Sequence, residues 1–99
     1  MVTRHYLLGE LLLRMDALQA AAPCAAAAER VACLRRQAEN TSPDCLGPLV
    51  ERAVCTAEGL CWESLARGDA AGFACQAQAA ADLFEFGLCS GLLPGPNAD

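Results

Sequence analysis

Seven cysteines, Cys24, Cys33, Cys45, Cys55, Cys61, Cys75 and Cys89, are the side chains of this 99-residue chain that first invite chemistry. A thiolate can act as nucleophile, soft-metal ligand or disulfide partner, and each use imposes a spacing. The successive separations are 9, 12, 10, 6, 14 and 14 residues, so no pair stands at the Cys-x-x-Cys interval of a zinc knuckle or a thioredoxin-like site. The count is odd, and the opening MVTRHYLLGE carries charge inside a short apolar stretch with no small-residue cleavage site. A secreted disulfide framework is therefore not expected, and the expected location is cytoplasmic. On this reading each cysteine acts as a small, inert hydrophobe.

The other chemistry-bearing residues are few. His5 is the only histidine and lies near a chain end, with no second imidazole to complete a metal or acid–base pair. Glu51 and Glu58 lie seven residues apart without the Glu-x-x-His motif of di-iron bundles, and read as surface charge. Arg67-Gly68-Asp69 spells a cell-adhesion tripeptide, but its place between two apolar stripes is accounted for by helix termination and capping. No nucleophile motif, phosphate loop or cofactor fingerprint is present, so neither an enzyme nor a bound cofactor is expected.

Composition sets the frame for these residues. Over half the chain is apolar but only 5% is aromatic, and Ala and Leu dominate the rest, which favours helix over strand. Arginine supplies all seven basic residues, and twelve carboxylates bring the net charge to −5. A broad attraction to phosphate backbones or anionic membranes is not expected. No apolar run reaches the ~18 residues needed to span a bilayer.

Apolar residues then recur at steps of three and four in four segments. Leu8, Leu11, Met15, Leu18 and Ala22 form the first stripe, with Thr3 as N-cap and Glu10 spaced to pair with Arg14. The second, Cys24, Ala27, Val31, Leu34 and Ala38, would point the opposite way if the helix ran through Pro23, so the helix must break there. After the turn residues Asn40-Thr-Ser-Pro-Asp44, a third helix starts at Pro48. Its stripe is Val50, Ala53, Ala57, Leu60 and Ser64, widened by Leu49, Val54, Cys61 and Leu65. Gly68 and Asp69 provide a left-handed C′ residue and an N-cap, so helices three and four form a tight hairpin. Phe73, Ala77, Ala80, Phe84 and Leu88 make the fourth stripe. The expected fold is all-α: a compact antiparallel four-helix bundle with helices at about 4–22, 24–39, 48–67 and 70–90. It forms one domain over 1–91 and leaves a flexible tail over 92–99.

Over the interval from Cys55 through Cys61 and Leu65-Ala-Arg-Gly68 to Cys75, the chain resembles four-helix copper-storage bundles. Those hold Cu(I) on inward-facing thiolates, often at Cys-x-x-x-Cys, an interval this chain lacks. The resemblance implies a metal set of Cys55, Cys61, Cys75 and Cys89, in place of the metal-free reading.

One further feature concerns partners. Cys75, Ala79, Asp82, Phe86 and Cys89 form a second line on helix four opposite its core stripe, with Leu83 beside it, where a surface helix would be polar. Trp62 falls outside the core stripe of helix three. A contact surface of Trp62, Cys75, Ala79, Leu83 and Phe86 is therefore expected, most simply used to form a homodimer. The competing reading is that the chain's own first helix or Leu92-Leu93 covers that line. The resulting expectation is a non-enzymatic protein-interaction module.

Overall fold

The structure is a computed structural model and describes residues 3–94. It is all-α, with α1 over Arg4–Ala20, α2 over Ala25–Glu39, α3 over Gly47–Ala66 and α4 over Ala70–Cys89. A single 3-10 turn, Pro43–Cys45, lies between α2 and α3. No strand occurs among the described residues.

Each boundary has a local cause. The Thr3 hydroxyl accepts from the Tyr6 amide at 3.1 Å and starts α1. α1 stops at Ala20, ahead of Pro23, and the turn is made without left-handed backbone at any non-glycine residue. Gly68, at φ 73°, closes α3: its amide donates to the Leu65 carbonyl at 3.1 Å, and the Asp69 amide donates to Ser64 at 2.9 Å. That is a Schellman cap, and Asp69 then caps α4 by accepting from the Gly72 amide at 2.9 Å. Gly91, at φ 77°, ends α4 in the same way, with the Leu92 amide donating to Gly87 at 2.9 Å.

Cross-helix contacts fix the directions. Asp16 of α1 pairs with Arg35 of α2. Gln37 of α2 meets Arg52 of α3, and Arg30 meets Glu63, so those helices are antiparallel. Ser64 of α3 meets Gln76 of α4, whereas Val50, at the start of α3, faces Gly87, near the end of α4. Arg14 of α1 lies over Phe86 of α4. The result is an up-down-up-down bundle in which α3 and α4 share the most extensive interface and α2 and α3 touch more sparingly.

The expected stripes of α1, α2 and α3 are largely the buried ones. Leu11, Met15, Leu18, Ala27, Val31, Leu34, Ala38, Val50, Ala53, Ala57, Leu60 and Ser64 all lie in the interior. The small side chains among them let α1 and α2 approach closely.

The fourth stripe is a correction. α4 buries Gln76, Ala79, Leu83, Phe86 and Gly87, a face one residue earlier than expected and so rotated by about 100°. Phe84, expected inside, is 51% exposed, and Phe73 is 37% exposed, whereas Leu83 is fully covered. The reason is that a narrow polar line of Gln78, Asp82 and Glu85 leaves a wide apolar arc on α4, and which part of that arc turns inward is set by fit. Gly87 lets Leu93 and Val50 close in, and a Cβ there would lie 2.9 Å from Val50 Cγ1. Gln76 is buried because both ends of its amide are satisfied.

Leu92 and Leu93, expected in the tail, pack on the core instead, Leu93 against Gly87 and the Leu92 carbonyl against Gly47. The remainder of the expected tail, 95–99, lies outside the described residues.

Candidate functional site

Of the expected contact surface, α4 supplies little. Ala79, Leu83 and Phe86 are interior residues; only Trp62 and Cys75 stand at the surface, and they line separate depressions. α1 covers part of the line on α4, its Arg14 guanidinium 4.6 Å from the Phe86 ring centre, while Cys75, Asp82 and Cys89 stay exposed.

An exposed apolar surface exists elsewhere, at the α3–α4 hairpin. Trp62 is 68% exposed and Leu65 53%. With Cys61 and with Phe73 of α4 they line a cleft of about 260 Å³, rimmed by Glu58. Leu65 and Phe73 extend it over the turn toward Gly68 and Asp69. The sequence pattern places Leu65 and Phe73 in core stripes and sets only Trp62 of this group outside them. The side of the hairpin is the cause: the neighbouring Ser64 and Gln76 turn inward, Gln76 reaching the Ala21 carbonyl, so Leu65 and Phe73 fall on a different face of their helices and stay open to solvent. The polar rim carries both signs, with Arg67 3.7 Å from Glu63 and Asp69 beside the turn.

The cysteines lie mostly at the surface: Cys75 stands there as the expected contact surface requires, whereas Cys24, a member of the expected α2 stripe, is exposed. All seven are free thiols; six are exposed and Cys61 is half-buried. Burial, and then the Glu58 charge, push the Cys61 thiol above its ordinary range. Cys24 differs: it occupies the N-cap of α2. There the Ala27 amide foremost, then that of Ala26 and the Arg67 guanidinium, hold its thiol below the ordinary range despite some loss of hydration.

The four thiols that the copper-storage resemblance implies are not brought together. Cys55 faces a groove between α2 and α3, Cys61 the hairpin cleft, Cys75 a depression between α1 and α4, and Cys89 another beside Arg14. Among the described residues no three His, Cys, Asp or Glu side chains converge as a metal set.

The depression at Cys89, about 470 Å³, is acid-lined, with Glu10, Asp82 and Glu85 around Arg14. Arg14 pairs with Glu10 at 3.0 Å, as the four-residue spacing predicts, while its Nε is buried without a partner. His5 is exposed in the first turn of α1 and is not among the residues lining this depression. No helix among the described residues is long and apolar enough to cross a membrane. No protein-family model, curated protein or solved structure matches the chain.

Proposed function

We propose that this chain is a non-enzymatic protein-interaction module that pairs with a second copy of itself through the α3–α4 hairpin surface. The observation that carries this reading is the exposure of Trp62 beside Leu65 and Phe73. A large aromatic in a shallow cleft with a polar rim has the composition of an interface centre, where Trp is enriched and truncation is most costly. The rim supports a like partner. Its polar residues, Glu58, Glu63, Arg67 and Asp69, border the apolar centre, and a two-fold pairing would let one such patch serve both partners.

The test is solution mass by light scattering or sedimentation, in reductant so that surface thiols do not cross-link. The chain should run at twice its 10.3 kDa. Trp62→Glu should weaken the dimer at least ~30-fold, the loss of about 2 kcal/mol typical of a central residue, with helical circular dichroism retained. A wild-type chain that stays at monomer mass up to millimolar concentration would end the self-association reading.

A further inference from the structure

We infer that the second copy seats along α4: two α4 helices pack antiparallel about a two-fold axis, with Phe73 of each copy against the partner's Phe84. This rests on the self-association reading above and says how the two copies meet.

Phe73, Ala77, Ala80 and Phe84 are separated by four, three and four residues. The spacing reads the same in both directions, and it holds the four side chains within about 60° of one another around the helix. The fold leaves that line outside. Phe73 and Phe84 are exposed and Ala77 and Ala80 half-buried, while Gln76, Ala79, Leu83 and Phe86 take the interior. The polar line of Gln78, Asp82 and Glu85 stands roughly 140° further round. The outer stripe of α4 therefore runs from one aromatic to the other without a charge.

A stripe with this pattern is its own complement. An antiparallel two-fold axis at its midpoint lays Phe73 on the partner's Phe84 and Ala77 on the partner's Ala80, and each contact is made twice. Alanine at the centre lets the two backbones approach, and the rings fill the space toward the ends. Trp62 and Leu65 of α3 flank the Phe73 end. A helix with any other spacing matches one end of the stripe and misses the other.

Area argues for the same extent. A specific interface covers roughly 800 Å² per partner, about 60% of it apolar, which asks for about 480 Å² of apolar surface. The exposed parts of Trp62, Leu65 and Phe73 supply about 350 Å² at most, taking ~150–250 Å² for a whole aromatic side chain. Phe84 adds about 100 Å², and the exposed edges of Ala77 and Ala80 bring the face to the required size. The cleft at the turn is thus one end of the interface, and Phe84 marks the other.

The experiment is a double-mutant cycle on the dimer, read by sedimentation equilibrium in reductant. Phe73→Glu and Phe84→Arg should each weaken association at least ~10-fold. In one chain the two positions lie three turns, about 16 Å, apart, too far to act on each other. In the doubly substituted chain the new carboxylate meets the partner's new guanidinium at both ends. That variant should dimerise at least ~10-fold more tightly than the two single losses together predict. Phe84 lies outside the core, so Phe84→Ala touches the monomer little and its cost appears where the dimer forms. The same cycle with alanine at both positions should give losses smaller than additive, and it decides the matter if a charged variant loses helical circular dichroism. Additive losses, or a wild-type dimer that Phe84→Arg leaves untouched, overturn this inference while the self-association reading stands. A wild-type chain that stays monomeric ends both.

Discussion

The Ser64 hydroxyl donates to Gln76 Oε1 at 2.6 Å inside the bundle, and the same Gln76 amide reaches back through Nε2 to the Ala21 carbonyl at 3.0 Å. One side chain thus ties α4 both to α3 and to the turn between α1 and α2. Replacing it by Leu should leave two polar groups without their partner, at about 1–3 kcal/mol each. Urea unfolding should show Ser64→Ala costing less in the Gln76→Leu background than alone. Additive losses would mean the two groups do not act on each other.

The orientation of α4 gives a second prediction. Leu83→Ala should cost about 2–5 kcal/mol, as for a fully buried leucine, whereas Phe84→Ala should cost less than about 1 kcal/mol. The ranking of the two denaturation midpoints reads out which face is inward, and a larger loss at Phe84 would reverse the assignment.

Two glycines in helices should respond with opposite sign. Gly59→Ala meets open space and should raise stability by about 0.5–1 kcal/mol, the usual difference in helix propensity. Gly87→Ala pushes a methyl into Leu93 and Val50, and overpacking of about 1–3 kcal/mol should outweigh the same propensity gain. Thermal melts of the two variants against wild type suffice.

The thiols should titrate in order. Cys24, held down first by the Ala27 amide and further by Arg67, should be the first to react with iodoacetamide as pH rises, and Cys61, held up by burial, the last. Pulsed alkylation with peptide mass spectrometry measures this, and Arg67→Gln should move Cys24 toward the others. The folded chain gives up the Cys24 proton before the unfolded chain does. Any stability from this group is therefore present above the ordinary thiol range and lost as pH falls through the lowered value.

What the sequence disclosed follows the strength of each local signal. Thr3, Pro23, Gly68 and Asp69 act through backbone geometry within a few residues, and each sits where its chemistry requires. The α2 stripe was legible because charged residues bound it on both sides. α4 offers less contrast: within its wide apolar arc the inward face is chosen by the close approach of Val50 and Leu93 at Gly87 and by the polar partners of Gln76, most of them distant in sequence. Trp62 stood out because it breaks the α3 stripe. Leu65 and Phe73 fit their stripes, and only the way the hairpin turns its Ser64–Gln76 side inward exposes them. Among the cysteines, Cys24 fits the α2 stripe yet is exposed, because the helix begins only after it.

The sparse α2–α3 seam is held at the surface by Arg30–Glu63 and Arg52–Gln37, and α2 is tied to α1 by Arg35–Asp16. Salt screens the two ion pairs, Arg30–Glu63 and Arg35–Asp16, more than the hydrogen bond of Arg52 to the neutral Gln37 amide, while leaving apolar burial intact. Raising ionic strength should therefore loosen α2 selectively, with its amide hydrogens exchanging faster while those of the α3–α4 hairpin keep their protection. The second helix would then behave as a hinged flap on an otherwise rigid body.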